Sequence, residues 1–273
     1  MFGHTYYHSI IRKYIIMFGN MFNDIDVQRF DTNGNRIQTI RVPIAYGPKE
    51  KYLQRLQQDP NLDKDVAVTL PRMSFEMVSM NYNAVRKLPS TNKNVIRILT
   101  DEDKVNSQYV PVPYDFNIAL SIFVKNADDG VQILESILPF FTPEWTNSVN
   151  LIPDMGITMD IPTVFTDIST EDTYDGDFAT RRSLIHTLNF TVRGYLFGPV
   201  RTQGVIKRSI VQTHIEYANT TGMATRVTTT PGLTANGTPT TDPNITIPYQ
   251  DINSDDDYGY IEDKDFFIAG RNV

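Results

Sequence analysis

The sequence predicts an α+β fold, a mixed or antiparallel sheet flanked by helices, and three observations carry that class. Phe116, Ile118, Leu120, Ile122 and Val124 occupy every second position, which places them on one face of a strand. Val131, Leu134, Ile137 and Leu138 follow at helical spacing and end at Pro139. Further on, residues 183–197 set Leu184, Leu188, Phe190, Val192 and Leu196 against Ser183, Thr187, Asn189, Thr191 and Arg193, a strand with one buried and one wet face. The strand and helix within residues 114–145 are read as the centre around which the chain is organised. Asn126, Asp128 or Asp129 are the residues able to accept the free amides at the start of that helix.

Taken in order, Ile10, Ile11, Tyr14, Ile15, Phe18, Met21 and Phe22 recur at helical spacing, with Arg12 and Lys13 toward the other side. The spacing predicts an amphipathic helix packed on the sheet. Residues 24–42 read as a hairpin whose Thr32-Asn33-Gly34-Asn35 turn takes positive φ readily. Pro48 suits a first helical position and opens a short helix that stops near Asp59-Pro60. In residues 66–83, Met73, Phe75 and Met77 face one way and Val78, Met80 and Tyr82 the other, which suggests an interior strand covered on both faces. Residues 84–113 break the pattern and are expected to form a binding excursion with a short ordered insert at 95–99. Ile157, Met159 and Ile161 lie in phase on a further strand, with Pro162 as a break, bulge or edge.

Beyond Gly198-Pro199 the composition changes. Residues 205–215, flanked by Arg201, Lys207 and Arg208, suit an edge strand or an extended arm. Residues 220–246 are so rich in Thr, Pro, Gly and Asn that burial alone does not offset their ordering entropy, and a flexible or partner-ordered segment is expected. Two domains follow: a core at 1–217 with a loop excursion at 84–113, and a Thr/Pro/Gly-rich segment with an acidic arm at 218–273. Residues 248–273 hold seven acids and two bases, a net −5 out of the chain's −7, which leaves about −2 for the rest. Phe266, Phe267 and Ile268 end that arm with an apolar cluster suited to docking a neighbouring chain.

Composition narrows the chemistry. With 40% hydrophobic residues in 273, a sizeable core can be buried. The absence of cysteine removes disulfides, thiolate catalysis and cysteine metal sites. No concentrated basic run favours nucleic acid, no apolar stretch is long enough to span a membrane, and no signal peptide is read at the N-terminus. Residues 251–262 put oxygen-bearing side chains at positions 1, 3, 5, 7 and 12 of a twelve-residue loop, which resembles calcium-loop spacing, but Asp256 stands where the turn wants glycine. A solvated acidic arm is the plainer reading. His4 and His8 are four apart without a fitting carboxylate, and His186 and His214 have no triad partners at suitable spacing. Glu135 and Glu144 could be imagined as a glycosidase pair, although Glu135 belongs on the solvent side of its helix. No phosphate-binding glycine loop, catalytic residue, cofactor site or metal site is nominated.

Several blocks resemble a known family in order along residues 1–200: the opening MFG with Tyr6, Tyr7 and Arg12, RVPIAYGPKE at 41–50, LPR at 70–72 and NYNA at 81–84. Longer blocks are LSIFVKNADDGVQILESILPFFTP at 120–143 and DGDFATRRSLIHTLNFTVRGYLFGPV at 175–200. On these the chain resembles the tail sheath stabiliser and completion proteins of contractile-tailed phages (myoviruses). The resemblance implies a structural virion protein of the phage tail and neck, assembled in the host cytoplasm, without catalysis or cofactors. It implies a homo-hexameric ring that caps sheath and tube at the head-proximal end. The partners it implies are the tail sheath protein, the tube or tube terminator protein and the neck (head-completion) proteins, with no nucleic acid and no membrane. It also implies a core like that of phage tail terminators. Arg181 and Arg182 beside Asp175 and Asp177 are candidates for charge pairing between subunits, with surface solvation as the alternative. A calcium-dependent adhesion or baseplate-type binding module is the second reading of function, and a tail-associated glycosidase the third.

Overall fold

The computed structural model describes residues 6–32, 34–58, 69–98, 101–172, 183–217, 220–253, 255–268 and 271–272. In chain order, α1 (Ile10–Met21) leads into the hairpin of β1 (Asp26–Phe30) and β2 (Arg36–Arg41), then β3 (Ile44–Tyr46), α2 (Lys49–Gln58) and β4 (Arg72–Tyr82). β5 (Lys93–Ile98) and β6 (Asp101–Tyr109) precede the long β7 (Val112–Val124), α3 (Ala127–Ile137), β8 (Glu144–Ile152), β9 (Ile157–Asp172) and β10 (Leu184–Leu196). Then come β11 (Arg201–Gly204), β12 (Ser209–Tyr217), β13 (Thr220–Gly232), β14 (Gly259–Ile268) and β15 (Arg271–Asn272). The protein is mostly β, with mixed and antiparallel sheets, so the α+β expectation holds in a strand-rich form.

Two compact units share the chain. A core unit takes Met1–Asn92 and Val110–Gly198, and a C-terminal unit takes Lys93–Tyr109 and Pro199–Val273. The backbone therefore passes between them three times. Residues 93–109, read as an excursion, and 199–217, read with the core, fold with the C-terminal residues. The reason is pairing: β11 and β5 both bond to β6.

The core unit is a six-stranded sheet in the order β3-β4-β7-β10-β9-β8, antiparallel except for the β3/β4 pair. As its alternation predicts, β7 is central, paired with β4 on one side and β10 on the other. Period two sends Phe116, Ile118, Leu120 and Ile122 to one face, where α1 and α3 lie. Phe190 is the hub of that face, with the rings of Phe18, Phe22, Phe141 and Phe165 centred 5.0 to 5.6 Å away. On the opposite face Phe123 and Ile185 pack beneath Tyr52 of α2, so this end of β10 is dry on both sides.

Two sequence expectations change phase. The buried stripe of α3 is Asp129, Gly130, Ile133 and Ile137, while Val131 is exposed. Asp129 turns inward because Arg29 of β1 reaches it at 3.1 Å, and it does not cap the helix; Asn126, the N-cap residue, makes no side-chain cap bond either. β4 is interior to the sheet but not covered twice: a register shift between Met77 and Ser79 precedes a stretch where Val78, Met80 and Tyr82 face solvent.

α1 is fixed by a buried hydroxyl. Tyr14 Oη donates to the carbonyl of Tyr195 and accepts from its N–H, each at 2.9 Å, beyond the point at Val192 where β9 stops pairing with β10. The side chain thus replaces a missing strand. Burial pushes its phenol up to about 12, opposed by the Tyr195 backbone bond. Gly194 permits the approach, since a Cβ there would sit 2.6 Å from the Tyr14 ring.

In the C-terminal unit the strands run β11-β6-β5 and β12-β13-β14-β15, all antiparallel. β13 falls in the Thr-rich run expected to lack structure. Threonine is β-branched and suits a pleated strand, and pairing with both β12 and β14 satisfies the backbone where apolar burial is sparse. Gly232 and Gly259 face each other across β13 and β14, and the Thr240 backbone folds onto both; a Cβ would lie 2.3 or 2.5 Å from its carbonyl oxygen.

Candidate assembly surfaces

The outer edge of β8 is the first surface. Strands β8 and β9 pair from Glu144 to Ile152, and β8 ends the sheet. Lys13 of α1 reaches over and donates to the carbonyls of Asn150 (2.9 Å) and Leu151 (2.7 Å), closing the last part of that edge. Beside the rest lies a groove of about 860 Å³, lined by α1, the end of α3 and β8. Its apolar walls include Ile16, Met17, Met21, Phe140, Trp145 and Val149; Lys13, Asp26 and Asp24, the last paired with Arg41, also line it. Phe140 and Trp145 stand edge to face, ring centroids 5.9 Å apart, and both are exposed. Amphipathic spacing located α1, but the sequence reading put Lys13 in solvent and did not find the groove.

The second surface is β12, the outer strand of its sheet. Residues 209–215 are all exposed, Ile210, Val211 and Ile215 among them. Arg208 precedes the strand and lies over the Tyr249 ring, while Lys207 donates to the carbonyl of Gln250 at 2.7 Å. Edge-strand character for this segment matches the sequence expectation.

Other expected sites distribute as follows. Phe266 is 59% exposed, but Phe267 is half-buried beneath the Arg226 guanidinium, whose Nε and an Nη donate to Asp265 Oδ2 at 2.9 and 2.5 Å. The exposed apolar surface here is therefore narrower than the sequence suggests. Arg181, Arg182, Asp175 and Asp177 lie outside the described residues, as does His4. In the acidic loop Asp255 pairs with Arg97, Asp256 accepts from the Asn253 N–H, and Glu262 lies on β14 beside Lys264. Its carboxylates are thus spread over three partners, and among the described residues no three acidic or histidine side chains gather as a metal site. His8 bonds the Gly198 carbonyl, and His214 is exposed on β12.

His186 has a structural setting. Its Nδ1 lies 2.9 Å from Thr170 Oγ1, and Nε2 is buried against Gly130 of α3 without a hydrogen-bond partner among the described residues. Burial lowers its pKa, which favours the neutral ring. Glu144 is exposed and lies 3.8 Å from Arg193. Glu135 is also exposed, as the solvent-side reading of its helix predicts.

Open strand edges and an apolar groove are surfaces of the kind that structural, protein-binding proteins carry. Residues 5–265 match the family model described as T4-like virus Myoviridae tail sheath stabiliser, and the chain belongs to that family. It is similar to the tail completion protein gp15 of Enterobacteria phage T4, with 33% identity over 222 residues covering 78% of this chain and 80% of that protein. The family is one of structural proteins of the contractile tail, and the chain is a virion tail component. No described helix is long and apolar enough to cross a membrane.

Proposed function

We propose that the protein forms a hexameric ring at the head-proximal end of the contractile tail. There it caps and stabilises sheath and tube and offers its outer surface to the neck proteins. The family match over residues 5–265 carries this reading, because it runs through both units and so commits nearly the whole chain to the tail. Sheath protein, the tube or its terminator, and head-completion proteins are the partners. The core unit is read as terminator-like, and assembly proceeds by surface complementarity without a catalytic step.

In a closed ring each subunit offers two different patches to its neighbours. Arg181 and Arg182 on one subunit and Asp175 and Asp177 on the next are assigned to one such contact, and exposed Phe266 to docking. Reversing both arginines is expected to weaken assembly. Unchanged assembly removes them from the interface.

The deciding experiment is electron microscopy of tube-and-sheath assemblies incubated with the purified protein. Six-fold density at one end only, with sheath that no longer dissociates, is the expected result. Folded protein that leaves both ends bare refutes the cap.

A further inference from the structure

Asparagine stands directly before glycine twice in the chain, at Asn33-Gly34 and at Asn236-Gly237. We propose that Asn236 is a site of spontaneous deamidation, and that its isoaspartyl product loosens the pairing of β13 with β14. The inference concerns the C-terminal unit alone and stands apart from the ring reading.

The chemistry needs only the chain and water. The Gly237 nitrogen attacks Cγ of Asn236, forming an N–Cγ bond while the Cγ–Nδ2 bond breaks. The proton lost by the glycine nitrogen ends on the departing ammonia. Water then opens the cyclic imide at either carbonyl, giving aspartate or isoaspartate, and nothing is oxidised or reduced. Glycine favours the attack because it has no side chain to shield its nitrogen.

The turn places both residues in the open. Asn236 and Gly237 are exposed at the tip of a hairpin in which Leu233 bridges Pro239. Thr234 N–H donates to the Thr238 carbonyl at 2.9 Å, which closes a three-residue loop whose last member takes positive φ. Gly237 does so at +77°, and a Cβ there would meet nothing within 4 Å. The backbone, not the space, therefore demands glycine, and glycine leaves the nitrogen accessible. The Asn236 side chain bonds none of the described residues, whereas Asn244 Nδ2 donates to Asp242 Oδ1 at 3.0 Å. Gly237 N–H donates to the Thr234 carbonyl at 2.9 Å, so reaction passes through opening of the turn. Loop tips open at the lowest free energies in a fold.

The product matters because the neighbouring packing has no slack. Isoaspartate routes the main chain through the former side chain and lengthens it by one methylene. Thr238 N–H is held by Thr234 Oγ1 at 3.1 Å, and Thr240 N–H by the Gly232 carbonyl at 3.1 Å. The Thr240 backbone lies on Gly232 and Gly259, so closely that a Cβ on either would stand 2.3 or 2.5 Å from its carbonyl oxygen. A longer loop displaces Thr240 from the place where β13 and β14 pair.

The test is to age the purified protein in ammonia-free buffer and map the tryptic peptide 227–264, in which Asn244 and Asn253 serve as internal references. Conversion at Asn236 should exceed that at either reference by at least an order of magnitude and rise with pH, with isoaspartate the larger product. Thr234→Val, which removes the hydroxyl that receives Thr238 N–H, should accelerate it, and Asn236→Gln should suppress it. Aged protein should show faster amide exchange in β13 and β14 and unchanged exchange in β7 and β10. Asn236→Asp adds the charge without lengthening the chain and should leave all four strands as in fresh protein. An Asn236 that stays intact in folded protein while it converts in the urea-unfolded chain overturns the site. Conversion that leaves exchange in β13 and β14 unchanged, or no faster than in Asn236→Asp, overturns the loosening.

Discussion

The two units keep their shape by different means. In the core unit helices close over the sheet, and aromatic rings meet around Phe190. In the C-terminal unit the described buried apolar residues are Leu233, Ile252 and Ile261, and the strands are held mainly by their own ladders. Apolar burial stabilises by about 25 cal/mol per Å², whereas a net hydrogen bond adds about 1 kcal/mol and leaves exposed side chains available. One unit is thus held mainly by its core and the other mainly by its ladders, which leaves more of its side chains in solvent. A protein that finishes a tail needs both: a body that survives assembly, and surface that other chains can still join.

The sharpest way to break this contrast is Phe190→Ala. Loss of that ring should cost about 3–5 kcal/mol, seen as a lower denaturation midpoint in the fluorescence of Trp145, the protein's one tryptophan. Ile261→Ala should leave that transition in place while speeding amide exchange in β13 and β14; a core transition that moves equally would mean the units unfold as one. Next in size, Gly232→Ala and Gly194→Ala should each cost about 1–3 kcal/mol by overpacking. The first is expected to be the worse because its Cβ meets the Thr240 backbone, whereas the second meets a ring edge. Equal melting shifts would show that the Tyr14 ring is held as rigidly as a main chain.

Tyr14→Phe should cost about 1–3 kcal/mol by orphaning the Tyr195 N–H and carbonyl, read as faster exchange of the Tyr195 amide. The smallest effect concerns pH. Because burial lowers the pKa of His186, the unfolded chain binds more protons just below the usual histidine value of about 6.5. The histidine contribution is therefore complete above that value and is lost as pH falls through the lower folded pKa. Denaturation midpoints of the wild type should drop over this window, and His186→Gln should flatten the drop.

Legibility in the sequence follows the same divide. β7, β10, α1 and the hairpin were readable because a buried face enforces period 2 or 3.6 and Gly34 takes the positive φ of the turn. The α3 stripe was misphased because Asp129 enters the helix-sheet interface through Arg29, a partner 100 residues away. Edge character for β12 could be read from its composition. β13 could not, since a strand ordered by ladder pairing leaves no apolar period. Nor could the groove, whose walls come from α1, α3 and β8 and meet only after folding. The functional resemblance was legible through long ordered sequence blocks, while the open strand edges required the sheet order.

The triple passage of the backbone between units has a mechanical consequence. Tension applied to the C-terminal unit is shared by three covalent tethers, at 92–93, 109–110 and 198–199. Two of them continue within a few residues into β7 and β10, neighbouring strands at the middle of the sheet. Both leave from one end of that ladder, where Val112 pairs with Leu196, so β7 and β10 are loaded together while β4 and β9 hold them on their outer sides. A load on the C-terminal unit is thus taken up in the middle of the six-stranded sheet and not at one of its edges.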